Sequence, residues 1–269
     1  MPLTLPSPRR ERLSRSPLIL AVCQVRYEQI PTVSEAQTML DMHAEIGGRK
    51  GDFPIAEPLE ASTVNVQIGA GSVQQAAPVA LKGWRLRTDD GRWVITLMPD
   101  HVSLETTRYT TWEGGFRPRL FTLLDAVGEH IRPAIEVRTG LRYVNRIVEP
   151  SVESPRDFRG YIADELLGPV LHSGFGGAVA ATQQQIDLDF GQGIRCGMRS
   201  GFFLDADRDN RPTYLLDFDV YRQGAQAFER EDIKGSVDHF NEVALQLFQQ
   251  SVTERMLAYL GEDDASGLA

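Results

Sequence analysis

Residues 136–148, EVRTGLRYVNRIV, lie at the middle of the chain, and their reading decides how the rest is arranged. Taken with a period of two, Val137, Thr139, Leu141, Tyr143, Asn145 and Ile147 fall on one face. Arg138, Gly140, Arg142, Val144 and Arg146 fall on the other. Such alternation predicts a β-strand with one mostly apolar face and one arginine face. At about 3.3 Å per residue it spans roughly 43 Å, enough to cross a whole sheet. The chain before it and the chain after it then form two similar halves that share this strand's sheet.

Composition sets the outer bounds. The 269 residues are 42% hydrophobic and 24% charged, ordinary for a globular protein with a sizeable core. A net charge of −9 argues against nucleic acid as the main partner. The two cysteines, Cys23 and Cys196, sit inside strand-like apolar runs. They read as buried reduced thiols of a cytoplasmic protein, not as a disulfide framework. The five histidines show no HxxxH spacing, and no CxxC pair is present, so there is no zinc signature. The longest apolar run near the start, Leu18 to Cys23, is too short for a signal peptide core or a membrane span.

Residues 1–16, MPLTLPSPRRERLSRS, read as a disordered Arg/Pro/Ser-rich tail. The first half follows, over 17–133. A strand at 18–28 leads to a short helix from Val33 to about Ile46, capped by Thr32 or Ser34. Its inner stripe is Val33, Ala36, Met39, Leu40 and His43. A polar, proline-containing loop is expected to about residue 61, then a strand at 63–68. Trp84 to Arg87, the turn Asp89-Asp90-Gly91 and Arg92 to Met98 make a hairpin, and residues 102–107 continue the meander. A long helix over about 116–131 carries the stripe Leu120, Phe121, Leu124, Val127 and Ile131.

The second half, 134–261, repeats that order. A short helix is expected at 155–167, then strands at 180–190, 194–204 and 213–222. A long helix follows from about Asp232, with a break at a Ser251-Val252-Thr253-Glu254 capping box. Residues 262–269 form an acidic, frayed tail. The fold class is therefore α+β, each half pairing antiparallel strands with a short and a long helix on the sheet.

The charges of the second-half strands make the one constellation worth following. Gln183, Gln185, Asp187 and Asp189 share a face; so do Arg195 and Arg199; so do Asp217 and Asp219. If the strands form a meander, an arginine row lies between two aspartate rows. Opposite charges on neighbouring strands stabilise by a few tenths to about 1 kcal/mol per pair. The surface reads first as a solvated charge ladder. Its functional reading is a ligand-binding face of Arg142, Arg146, Asp187, Asp189, Arg195, Arg199, Asp217 and Asp219.

Other motifs fail on spacing. Asp205, Asp207 and Asp209 resemble a calcium loop, but Asn210 stands where it needs glycine and Leu216 where it needs glutamate. The run His172 to Gly177 lacks the phosphate-loop pattern and reads as a connector. Trp84, Trp93 and Trp112 read as core packing, Trp112 stapling the helix after it to the sheet. No catalytic residue, metal ligand or cofactor is expected.

Several segments together carry a family likeness: Gly83-Trp84-Arg85-Leu86-Arg87, Gly140-Leu141-Arg142-Tyr143-Val144-Asn145-Arg146-Ile147, and Leu247 to Thr253. Pro17-Leu18 followed by Val25-Arg26-Tyr27 fits as well. On these the chain resembles the sporadically distributed bacterial TIGR04255 family. The resemblance transfers no catalytic residues. It implies an accessory or mobile-element role, defence against phage among the candidates. The expected function is a non-enzymatic binding or regulatory component whose partner is another protein or a second copy of itself. The alternative is a nucleotide or small-ligand binder, or a phosphate-directed enzyme, using the Arg/Asp face.

Overall fold

The computed structural model describes residues 5–10, 12–48, 51–63, 66–69, 72–75 and 79–261, with backbone alone for Asp207 and the described part of 61–81. In chain order the elements are β1 (Leu18–Tyr27), α1 (Ala36–Glu45), β2 (Ile55–Thr63), β3 (Val66–Gly69), β4 (Ser72–Gln75) and β5 (Val79–Arg87). They continue with β6 (Trp93–Met98), β7 (His101–Thr106), α2 (Arg117–Ala126), β8 (Ile135–Ile147), α3 (Asp164–Leu167) and β9 (Gln184–Gly191). The last are β10 (Ile194–Asp205), β11 (Arg211–Ala227), α4 (Arg230–Ser251) and α5 (Glu254–Gly261).

The fold is α+β. Nine strands form one antiparallel sheet in the order β2-β5-β6-β7-β1-β8-β11-β10-β9, and β3 with β4 forms a separate hairpin. The stretch that opened the sequence analysis is β8, held between β1 and β11 at the sheet's centre. Its alternation holds from Arg138 onward. Leu141 and Tyr143 face the same core as Cys23 of β1 and Phe218 of β11. Helices cover that face because each carries an apolar stripe that must leave water. On α4 the stripe is Ile233, Val237, Phe240, Ala244, Leu247 and Phe248, packed on β8 and β11. On α2 it is Leu120, Leu123 and Leu124. Each such side chain contributes about 1.5–3 kcal/mol on burial. Trp112 lies buried in the turn before α2, and its indole N–H donates to Asp238 of α4 (2.8 Å). Arg117 grips the same carboxylate through Nε (2.8 Å) and Nη2 (3.0 Å), locking the two long helices together.

Several sequence expectations are corrected. Val137 is 37% exposed, and Glu136 takes its place on the buried face. The pairing registers with β1 and β11 both shift beside it, so a bulge reverses the alternation there. The expected loop before residue 61 is strand β2, whose Pro58 is tolerated because β2 is an edge. Before α1, Pro31–Ser34 form a separate 3-10 turn and Ser34 donates to the Lys82 carbonyl instead of capping. The helix phase moves accordingly: Met42 is buried, and Leu40 is 52% exposed. The expected helix at 155–167 is two 3-10 turns flanking the four-residue α3, interrupted where Gly160 and Gly168 take positive φ. At the break between α4 and α5 the cap is Thr253, whose Oγ1 accepts from the Met256 N–H (3.3 Å). Ser251 donates back to the Leu247 carbonyl inside α4.

The stretch read as a disordered tail makes specific contacts over its described residues. Leu5 and Leu13 pack against the core, and Arg9 and Arg15 bond to α4 and α5. The acidic stretch 262–269 lies outside the described residues. No helix among the described residues is long and apolar enough to cross a membrane.

Candidate functional site

The face of the sheet opposite the helices is where the candidate residues lie. The register sets Arg142 opposite Asp219 and Arg199 opposite Asp217, and Arg195 opposite Asp189. Asp187 sits opposite Gly197. Arg142 and Arg138 then lean along the strand to diagonal partners, while Arg199 keeps its opposite one. Arg142 donates Nε and Nη2 to the two oxygens of Asp217, both at 2.7 Å. Arg199 Nη1 lies 3.5 Å from the same carboxylate. Arg138 reaches both oxygens of Asp219 (3.0 and 2.8 Å) and stacks on the Tyr221 ring at 4.7 Å. That reach is possible because residue 140 is glycine: a Cβ there would lie 2.6 Å from Arg138 Nη1. Arg146 Nη1 approaches Asp205, at the end of β10, at 3.7 Å.

The electrostatics follow from burial. The Asp217 side chain is only 4% exposed, while Arg142 is 42% and Arg199 50% exposed. Two arginines therefore surround one sunken carboxylate. A bidentate guanidinium–carboxylate pair is the strongest form of this contact. The Asp217 hydrogen bond, with the charges of Asp217 and Asp219, holds the Arg142 pKa above its ordinary value against the opposing effect of burial. On the other side of the sheet lie Cys23 and Cys196, their thiols pushed up to about 12 by burial.

The structure thus gathers Arg142, Arg199, Asp217 and Asp219 into one connected ladder. Arg146 stands at its end, and Asp187, Asp189 and Arg195 lie along the β9–β10 margin. Arg138 and Asp205 belong to it and were not among the candidates. The two-residue period that marked Arg142 also marks Arg138; nothing local marks Asp205 as an arginine partner. Its carboxylates Asp205, Asp217 and Asp219 are engaged by arginines rather than aimed at a common point. Beside Arg199 lies a surface hollow of about 500 Å³ lined by Thr182, Gln183, Phe203 and Leu215. Among the described residues, no three His, Cys, Asp or Glu side chains cluster as a metal site.

The second carboxylate network lies at the bulge. Glu136, 1% exposed, accepts from Arg222 Nη2 (2.9 Å), Gln226 Nε2 (2.6 Å) and Thr139 Oγ1 (2.7 Å). Every one of these donors comes from β8 or β11, so the network is a structural pin for that strand pair. No protein-family model matches the chain, and no curated protein or solved structure matches it either.

Proposed function

We propose that this protein is a non-enzymatic binding component of a bacterial accessory system, and that a partner protein docks on its uncovered sheet face. One observation carries the reading: among the described residues, Arg138, Arg142, Arg146 and Arg199 pair with Asp205, Asp217 and Asp219 along the strands, and of these arginines Arg199 alone borders the hollow on that face. A ladder of this kind offers hydrogen-bonding edges to a broad surface and leaves no strong residual field for a small ion. The five adjacent strands β1, β8, β11, β10 and β9, at about 4.8 Å spacing and roughly ten residues of length, span about 800 Å², the share one partner contributes to a standard interface. The family resemblance supports the accessory role, and the cysteine usage supports a cytoplasmic setting. The test is an affinity capture from the native host with wild type and with the exposed-face variant Arg199→Glu. A stoichiometric partner lost in the variant, with the circular dichroism spectrum of the wild type retained, is expected. Recovery of the protein alone, with turnover of a phosphorylated small molecule abolished by Arg142→Ala or Asp187→Ala, overturns the reading.

The hollow beside Arg199 favours a second reading, a nucleotide or phosphorylated ligand held there. A thermal-shift screen separates the two, since a ligand at 100 times its Kd stabilises by about 2.7 kcal/mol.

The same reading includes an internal duplication. Outward from the central pair, the strand order is β1, β7, β6, β5, β2 on one side and β8, β11, β10, β9 on the other; the first four positions correspond, which supports it, and β2 has no counterpart. Each series is followed in sequence by a long helical segment packed on the core. Superposing residues 17–133 on 134–261 tests it; helices that fall on opposite sides of the superposed strands would sink it.

A further inference from the structure

The elbow between α4 and α5 lies in the helix layer, away from the ladder, and the chain's own residues 5–10 and 12–16 are seated on it. Pro6 and Pro8 keep this segment out of a helix. Gln249 binds its main chain at both groups: Arg9 N–H donates to Oε1 (3.0 Å), and Nε2 donates to the Arg9 carbonyl (2.7 Å). A side-chain amide used this way reads extended backbone whatever side chain it carries. Arg9 Nη2 meets Glu254 at 2.7 Å. Further on, Arg15 N–H donates to the Leu260 carbonyl (2.9 Å), and its guanidinium lies 4.8 Å from the centre of the Tyr259 ring. The carbonyls at the end of a helix lack partners within it and carry partial negative charge, so a basic residue is favoured there.

The fit is incomplete. A groove of about 420 Å³ remains beside the segment, bounded by Leu13, Leu245, Phe248 and Leu257. The Arg9–Glu254 pair is largely exposed, 49% and 80%, so breaking it strands no buried charge. The occupant is thus held by exchangeable contacts over an apolar surface that it fills only in part.

We propose that this elbow is a docking groove for a non-helical segment of a partner protein bearing arginine, leucine four residues on and arginine two further, as in Arg9, Leu13 and Arg15. Residues 5–10 and 12–16 occupy it in cis. This inference rests on the protein-binding reading but concerns a different surface. A groove closed for most of the time binds an outside segment more weakly by the fraction that is open.

The test is fluorescence anisotropy of a labelled synthetic peptide of residues 5–17 added to the full chain. Wild type is expected to bind weakly. The Arg9→Glu chain, whose own segment is repelled by Glu254, is expected to bind at least tenfold tighter. Adding Glu254→Arg to that chain is expected to abolish the gain. A peptide carrying Leu13→Asp should fail to compete, and Arg199→Glu in the chain should leave peptide binding unchanged, which separates this surface from the sheet face. Equal peptide affinity for wild type and Arg9→Glu, or no saturable binding to either, overturns the proposal. So does a dimer that the peptide dissolves, because the occupant is then a second copy.

Discussion

At the scale of single residues, Asp217 organises the ladder. It is the sunken member of its pairs, so the cost of losing a partner depends on which arginine goes. Arg142→Ala removes a bidentate partner from a buried carboxylate, and we expect a loss of about 2 kcal/mol, reduced from the fully buried case because Arg142 is partly exposed. Arg199→Ala removes one exposed approach at 3.5 Å and should cost under about 1 kcal/mol. Urea denaturation of the two variants checks the ranking; equal losses would show that Asp217 does not depend on the bidentate contact. The thiols give a pH signature. Burial raises Cys23 and Cys196 from 9.0 to about 12. Their contribution to stability is therefore fully present below about pH 9 and is lost as pH climbs toward about 12, because only the unfolded thiols ionise in that window. Each removes about 1.4 kcal/mol per pH unit across it. Denaturation of wild type and of the Cys23→Ala/Cys196→Ala variant at pH 8 and 10.5 should give a smaller drop for the variant. The sequence showed which charges share a face, since a period of two is local. It could not show that Arg142 passes over Asp219 to grip Asp217, or that Arg138 reaches Asp219 across Gly140, because side-chain lean depends on the space that surrounding residues leave open.

At the scale of elements, boundaries set by local chemistry were readable. The Asp89-Asp90-Gly91 turn is one, Gly91 taking the positive φ it requires. The stripes of α2 and α4 are others, because four-residue spacing fixes which side chains share a helix face. What escaped was set by partners far away in sequence. The bulge at Val137 arises where β8 must match both β1 and β11, and no residue within β8 announces it. Pro58 suggested a loop only because the edge position of β2 was not visible. The break between α4 and α5 was placed correctly, but its cap was assigned to the wrong hydroxyl. Thr253 both accepts from Met256 N–H and donates to the Gly160 carbonyl at 2.6 Å, tying α5 to the segment before α3. Thr253→Ala should cost about 1–2 kcal/mol. Ser251→Ala should cost less, because a hydroxyl bonded back to its own helix adds little. Thermal melts of the two variants decide it, and a larger loss for Ser251→Ala would return the cap to Ser251.

At the scale of the whole molecule, the β1–β8 seam joins the two halves through one uninterrupted sheet, and Asp238 joins their long helices. Neither half can lose its order without exposing the central strand of the other. The three tryptophans all lie in the first half. Tryptophan fluorescence therefore follows that half, while far-ultraviolet circular dichroism follows both. We expect the two signals to fall together in a single urea transition. An early fluorescence transition would show that the seam does not couple the halves. The α+β class was legible in the sequence because alternation and stripes together dictate a sheet with helices on its apolar side. The docking of residues 5–10 and 12–16 was not, since Pro, Ser and Arg read as unstructured until an apolar groove is placed beneath them.

The hydrogen bond from Arg15 to Leu260 sets the run into β1 beside the exit from α5. Traced as a path, the described polypeptide is nearly a closed ring. Its connectivity is therefore less constrained than its register. A short glycine linker from the end of α5 to Arg15, with new ends cut at the Asp90–Gly91 turn, should yield a circular permutant with the same strand order. Such a chain would present its ends between β5 and β6, strands that carry none of the ladder's residues. Its circular dichroism spectrum, matched or unmatched to that of the parent, reports whether the order of synthesis matters to this fold.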